Sequence, residues 1–219
     1  MTVAIYGHPF SSFTWKALIA AYERDVRFEF RSVDPGHPDN MTRMTALAPT
    51  GQFPALIDGA REVVESNAII DYLDLFHGSG APLIPEDRRD AVEARMLADV
   101  FDDYVHAPMQ RVVGNALRPE ESRDPITVEE AHRAIERCYA WLENRLKPGQ
   151  WAACGRFTIA DCAAAPALFY GDWVHPIGAQ FPTLAGYRAR LLAHPSVVRV
   201  VDEARPYRPY FPLGAPDRD

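Results

Sequence analysis

Short apolar stretches alternate with amphipathic ones over the first 77 residues of the chain. Alternating apolar positions predict strands, and apolar positions spaced three and four apart predict helices. The predicted strands are residues 3–6, 26–33, 53–57 and 62–64, and the predicted helices are residues 16–24, 39–47 and 67–76. Asp58-Gly59 separates the last two strands and predicts a tight hairpin. This order, a βαβ unit, a helix and a ββα unit, predicts a mixed sheet covered by helices in a domain of residues 1–77.

Helical periodicity alone continues after a turn-rich linker of residues 78–86. A long helix over 87–117, bent near Pro108, and a second helix over 128–146 come first. Further helices are predicted to begin at Thr158, near Thr183 and at Ser196, and the tail of residues 206–219, with four prolines, is predicted to be extended. The predicted fold class is therefore an α/β domain followed by an all-α domain of residues 87–219.

Composition and charge exclude several classes of protein. The formal net charge is −7, and no basic cluster suited to nucleic acid is present. No apolar stretch reaches the roughly 18 residues of a membrane span, and the N-terminus does not resemble a signal peptide. Three cysteines without CxxC or zinc-finger spacing predict reduced structural thiols, and scattered histidines predict no metal site. These features predict a cytoplasmic protein.

Two serines, Ser11 and Ser12, lie in the turn between the first predicted strand and the first predicted helix. A hydroxyl at that position lies beside the positive end of a helix dipole and can help to hold an anion. The alternative is an N-cap, for which serine is a preferred residue. Taken alone, the local pattern favours the cap.

Two further motifs suit a peptide ligand. Pro54 begins a strand, where it leaves backbone groups unpaired, and a cis bond after Phe53 would turn that backbone toward a ligand, although most such bonds are trans. Glu65 and Ser66 precede a helix and suit the ammonium and the carboxylate of an amino-acid head group. Ser66 is also a candidate N-cap, and the local pattern favours the cap.

These motifs lie, in order, within stretches that resemble the N-terminal domain of cytosolic glutathione S-transferases, namely residues 6–16, 49–56 and 65–73. Residues 155–161 resemble the start of the central helix of that family's C-terminal domain, where Thr158 and Asp161 have capping-box spacing. The motifs are similar to those of bacterial-type, serine-dependent members with zeta-, phi- or theta-like N-termini. The resemblance implies a thioredoxin-like domain followed by a helical bundle, glutathione as co-substrate, no metal, and a homodimer.

The resemblance also implies a role for each matching residue of the glutathione site. The backbone of Phe53, before a cis Pro54, would pair with the cysteinyl unit of glutathione. Gln52 would help to hold the tripeptide backbone. Glu65 and Ser66 would hold the γ-glutamyl head group.

The resemblance implies that a serine donates a hydrogen bond to the glutathione thiolate. The Ser-Ser pair looks like the zeta-type arrangement, which points to Ser11 ahead of Ser12. Phe13 stands where the zeta-type motif has cysteine, so the zeta-type isomerase activity is not implied with the motif. Tyr6 is the rival for the thiolate contact, although an aromatic side chain packed in the first strand is the favoured interpretation.

A second-substrate pocket is implied between the two domains. Phe10, Phe13, Met109 and Val113 would line it, and Arg111 could meet an acidic substrate; core packing with a solvated arginine is the alternative. The implied reaction is attack of the glutathione thiolate on a hydrophobic electrophile. The alternatives are a glutathione-dependent isomerase or peroxidase, and a non-catalytic binding or interaction module on the same fold.

Overall fold

Four strands near the N-terminus form one mixed sheet in the computed structural model, which describes residues 2–219. Met1, where the predicted domain of residues 1–77 begins, lies outside the described residues. The strands are β1 (Val3–Gly7), β2 (Phe28–Ser32), β3 (Ala55–Asp58) and β4 (Arg61–Val64). Their order is β2-β1-β3-β4, with β1 parallel to β2 and antiparallel to β3, and β3 antiparallel to β4. The predicted mixed sheet is confirmed.

The hairpin between β3 and β4 turns where the sequence predicts it. Asp58 pairs with Arg61, which leaves a two-residue loop, and Gly59 in that loop has a φ of 59°. Glycine adopts this left-handed conformation without steric cost. β3 begins at Ala55 rather than at the predicted Phe53, because Pro54 has no N–H to donate to the ladder.

Three helices pack on the sheet: α1 (Ser12–Glu23), α2 (Pro38–Leu47) and α3 (Ser66–Phe76). α1 begins at Ser12, ahead of the predicted Lys16, because the Ser11 hydroxyl accepts a hydrogen bond from the Thr14 backbone N–H at 3.3 Å. Ile5 of β1 is buried in the same core as Leu18 of α1. The resulting βαβ-α-ββα arrangement is the thioredoxin-like fold that the resemblance implied.

A π-helical turn divides the long helix predicted for residues 87–117. The segments are α4 (Arg88–Val100), the π-helical turn (Phe101–His106) and α5 (Ala107–Ala116). Pro108 in the first turn of α5 lacks an N–H, and its ring disfavours a regular turn before it. The chain accommodates this with the wider i→i+5 hydrogen bonds of a π-helix. The irregularity therefore lies ahead of Pro108, and it is a widened turn in place of the predicted bend.

The remaining helices complete an all-α half: α6 (Pro125–Arg145), α7 (Ile159–Val174), α8 (Pro182–Leu192) and α9 (Pro195–Ala204). α7 is buried along almost its entire length, and its predicted capping box is confirmed: the Thr158 N–H donates to the Asp161 carboxylate at 2.9 Å. The tail is not simply extended, because Arg205–Tyr210 forms a 3-10 helix. Within residues 2–219, no helix combines the length and apolar character of a membrane span.

The two halves share one hydrophobic core. Trp15 of α1 packs against Phe169 and Tyr170 of α7, with ring centroids 4.9 and 5.3 Å apart. The linker is also held in place, because the buried ion pair of Arg24 and Asp74, at 2.7 Å, lies beneath it. Asp74 accepts hydrogen bonds from the linker backbone, and Arg24 donates to it. α1 is consequently held against α7, and the C-terminal ends of α1 and α3 are tied to the linker.

Candidate active site

A cavity of about 870 Å³ lies between the two halves of the chain. One wall comes from the turn before α1 and the loop before β3, and the other from α5 and the residues after it. Its lining residues are His8, Ser11, Ser12, Phe13, Gly51, Gln52, Phe53, Ala107, Gln110, Arg111, Gly114, Asn115, Arg118 and Thr127. A second cavity of about 160 Å³ shares Phe13, Gln52 and Phe53 with the first and extends to Glu65 and Ser66 at the start of α3.

Ser11 is the N-cap residue of α1 and lies on the wall of the larger cavity. Its side chain is half-buried, and its oxygen accepts from the Thr14 N–H while the hydroxyl proton remains available to a ligand. The first turn of α1 carries no acidic side chain that would offset the positive end of the helix dipole. This position therefore suits an anion that accepts a hydrogen bond.

Ser12 has a different environment from its neighbour. It is 5% exposed, and its Oγ lies 2.6 Å from Nε2 of His106, a residue 94 positions away in the π-helical turn. Gln110 of α5 donates to the same oxygen at 3.4 Å. Ser12 is therefore buried and hydrogen-bonded to residues of the other half of the chain, whereas Ser11 is the more exposed of the two serines.

His106 is a buried, uncharged group. Burial, with a smaller contribution from the positive charge of Lys16, lowers the pKa of His106 from 6.5 to about 3. The neutral ring and the Ser12 hydroxyl share a hydrogen bond, and the ring centroids of His106 and Phe13 lie 4.2 Å apart in an edge-to-face contact. His106 thus joins the π-helical turn to the first turn of α1.

The buried imidazole predicts a stability loss in mild acid. Between pH 7 and 5 the unfolded chain binds a proton at His106 and the folded chain does not, so stability falls as the pH is lowered below the unfolded value of 6.5. One such group contributes a loss of about 2 kcal/mol between pH 7 and 5. Urea unfolding of wild type and His106→Gln across this range measures it.

The expected result is a shallower pH dependence in His106→Gln than in wild type. A His106→Gln curve that runs parallel to wild type would show that the folded chain takes up the proton at His106 as readily as the unfolded chain does.

A second buried contact joins α1 to the π-helical turn. The Lys16 ammonium, with a side chain only 1% exposed, forms an ion pair with Asp102, and Asn67 of α3 donates to the same carboxylate at 3.4 Å. Burial raises the pKa of Asp102, and the charge of Lys16 opposes that rise. Since the partners come from α1, α3 and the π-helical turn, this cluster fixes these three elements relative to one another.

The smaller cavity brings together the other predicted glutathione-site residues. The Phe53-Pro54 peptide bond is cis. Glu65 has a φ of 70°, an uncommon conformation for a residue other than glycine and one found at ligand sites. As the N-cap residue of α3 it makes no side-chain capping bond, which leaves the first N–H groups of the helix, beside Ser66, for a ligand. Gln52 lines both cavities.

Of the four apolar residues predicted for the second-substrate pocket, Phe13 lies on the wall of the larger cavity. The structure places Met109 and Val113 on the face of α5 that packs into the core, and Phe10 against Tyr170 at 5.5 Å. These three residues therefore lie outside the cavity lining. Tyr6 packs beneath the sheet, in a cluster with Met44 and Ala55, as its favoured interpretation predicts.

Three residues beside the cavity have no motif in the sequence that predicts them: His106, Gln110 and Lys16. His106 and Gln110 are four residues apart on a predicted helix, a spacing that places two polar side chains on one face. Lys16 interrupts the apolar residues of α1, which could have indicated a buried charge. Neither signal names a partner, because the partners lie in the other half of the chain.

Comparison with known proteins places this architecture in a family. Residues 5–79 match the sequence model of the glutathione S-transferase N-terminal domain, and residues 125–194 match that of the C-terminal domain. A glutathione S-transferase of Silene vulgaris is 28% identical over 90% of this chain and 95% of its own length. A probable maleylacetoacetate isomerase of Vibrio cholerae is 26% identical over 94% and 98%.

Solved structures of this family share the fold of the chain. A glutathione S-transferase from Methylobacterium radiotolerans, in complex with glutathione sulfonate, is 26% identical, superposes with a TM-score of 0.78, and matches over 92% of this chain and 95% of its own. The chain belongs to the glutathione S-transferase family. The predicted family, the two-part fold and the enzyme class, glutathione transferase, are confirmed.

Proposed function

We propose that this chain binds glutathione across the two neighbouring cavities and uses Ser11 to hold the thiol as a thiolate that attacks an electrophile. The observation that carries the proposal is that Ser11, the cis Pro54 and the α3 N-terminus line two cavities that share Phe13, Gln52 and Phe53. Each of these features alone has a structural explanation. Their convergence suits a tripeptide with a thiol at its centre.

One serine and one helix N-terminus can supply the free energy that is needed to stabilise the thiolate. A thiol with a pKa near 8.5 is only a few per cent ionised at pH 7, and lowering the pKa by about 2 units requires about 2.7 kcal/mol. A hydrogen bond to a charged group contributes about 1.5–3 kcal/mol and a helix N-terminus about 0.3–1 kcal/mol. Ser11 at the N-terminus of α1 supplies both contributions without a general base.

The polar groups around the smaller cavity hold the remaining parts of glutathione. The backbone of Phe53 pairs with the cysteinyl unit, and Gln52 contacts the tripeptide backbone. Ser66 and the free N–H groups of α3 hold the γ-glutamyl carboxylate, while Glu65 faces the ammonium. The glutathione sulfonate complex of the Methylobacterium radiotolerans relative supports a peptide thiol as the occupant.

Calorimetric titration with reduced glutathione tests the binding site. Wild type is expected to bind, and Ser66→Ala to bind about tenfold more weakly, because one hydrogen bond to a carboxylate is lost. Ser79→Ala, at an exposed serine of the linker that lines neither cavity, is the matched control and should bind as wild type does. Absence of binding at millimolar glutathione would overturn the proposed function.

A glutathione-dependent isomerase is the second candidate, and the similarity to the Vibrio cholerae relative favours it. In that reaction the thiolate adds to a double bond and leaves again after rotation, so glutathione is recovered. In a transfer reaction it remains bound to the product as a thioether. Measuring glutathione consumed per product formed distinguishes the two.

A further inference from the structure

α5 provides a wall of the larger cavity that carries polar and charged side chains as well as small apolar ones. α5 directs Ala107, Gln110, Arg111 and Gly114 toward the cavity, and Arg118 follows two residues after the helix ends. A Cβ added at Gly114 would meet no atom within 4 Å, so this part of the wall is open space. The cavity therefore has room beside the arginines for a ligand.

The charge of this cavity is opposite to the charge of the chain. The chain has 30 acidic residues against 23 lysines and arginines. The cavity lining nevertheless contains two arginines and no aspartate or glutamate. Neither Arg111 nor Arg118 belongs to an ion pair among the described residues, whereas many exposed arginines elsewhere do, such as Arg95 with Asp71.

The acidic group near Arg118 is already engaged. Asp124 accepts hydrogen bonds from the Ile126 N–H at 2.9 Å and from the Thr127 hydroxyl at 2.6 Å, as the N-cap of α6. Arg118 contributes only the smallest of the influences that lower the pKa of Asp124. Both guanidinium groups consequently remain available to an anion in the cavity.

We propose that the second substrate is an electrophile with a flat apolar body and a carboxylate, the carboxylate held by Arg111 and Arg118. The apolar body lies against Phe13, and the electrophilic carbon faces the sulfur at Ser11. A guanidinium group matches a carboxylate with two parallel hydrogen bonds, which fixes orientation as well as affinity. This inference rests on the proposed function and names the substrate class of the same site.

A matched pair of chloroarenes tests the carboxylate. In 4-chloro-3-nitrobenzoate the thiolate sulfur bonds to C4, the C4–Cl bond breaks, chloride leaves with the bonding pair, and the thiol proton passes to solvent. 4-Chloro-3-nitrobenzamide reacts in the same way without the negative charge. For each, kcat/KM is divided by the uncatalysed second-order rate constant, which removes the difference in intrinsic reactivity.

Wild type is expected to favour the benzoate over the benzamide by about tenfold on this normalised scale. Arg111→Gln and Arg118→Gln should each lower the benzoate value by about tenfold and change the benzamide value less than about twofold. Arg89→Gln removes the same charge from an exposed site at the start of α4 and is the control. The benzoate preference should weaken as salt is added.

The possible results separate this inference from the proposed function. If glutathione does not bind, the proposed function fails and the inference fails with it. If glutathione binds but the two chloroarenes are used equally, or the arginine variants weaken glutathione binding instead, only the inference is overturned. If neither chloroarene reacts, calorimetry with the two S-aryl glutathione conjugates decides. The inference then requires that wild type binds the carboxylate conjugate more tightly than the amide conjugate, and that the arginine variants lose this difference.

Discussion

Ser11→Ala is expected to raise the thiol pKa of bound glutathione by about 1–2 units and to lower kcat/KM by about ten- to a hundredfold. The reason is the loss of the hydrogen bond that favours the charged form of sulfur, while Ser66 and Phe53 still hold the peptide. Glutathione should therefore still bind. Thiolate absorbance followed against pH, with steady-state kinetics, measures both effects.

Two companion variants separate chemistry from helix capping. Ser11→Ala also removes the bond to the Thr14 N–H, which costs about 0.5–2 kcal/mol of stability. Ser11→Thr keeps a hydroxyl and the cap, and it should retain a lowered thiol pKa. Ser12→Ala breaks the contact with His106 and should leave the thiol pKa near that of wild type. The reverse result for Ser11 and Ser12 would assign the thiolate contact to Ser12.

Lys16→Met is expected to lower the free energy of unfolding by about 3–5 kcal/mol. Asp102, only 14% exposed, would keep a carboxylate without a cation, and one of its oxygens already lacks a hydrogen-bond partner among the described residues. Methionine fills much of the space of the lysine stem, so packing changes little. Urea unfolding at pH 7, where the carboxylate is normally charged, gives the difference.

An exposed ion pair provides the matched control. Arg43 and Glu62 are paired but about half exposed, so Arg43→Met should cost no more than about 1 kcal/mol. The double variant Lys16→Met/Asp102→Leu should recover much of the loss, because the unpaired charge is removed with its partner. A loss below about 1 kcal/mol in Lys16→Met alone would show that water reaches Asp102 freely.

Much of the N-terminal half could be predicted because its signals are local. Gly59 supports the hairpin through its own left-handed backbone conformation, and the apolar alternation of β1 indicates its burial directly. The Thr158–Asp161 capping box was predictable for the same reason, because only the four residues that form it determine it. The order of these elements then leaves few ways to form the sheet.

The second-substrate wall could not be predicted in the same way. The resemblance implied that Met109 and Val113 line the cavity, but the π-helical turn adds to the residue count per turn before α5 begins. One extra residue rotates everything that follows by about 100°. Gln110 and Arg111 therefore occupy the face that the cavity uses, and Met109 enters the core.

The sequence by itself determined the family, the two-part fold, and the candidate residues Ser11, Pro54, Glu65 and Ser66, because each belongs to a short motif whose conformation depends on its neighbours in the chain. The sequence pointed to Ser11 ahead of Ser12, and only the tertiary structure showed that Ser12 contacts His106, which lies 94 residues away. It likewise paired Lys16 with Asp102 and placed Arg118 on the cavity wall together with Arg111. Contacts between distant helices depend on how their faces pack, and no local pattern encodes that partner.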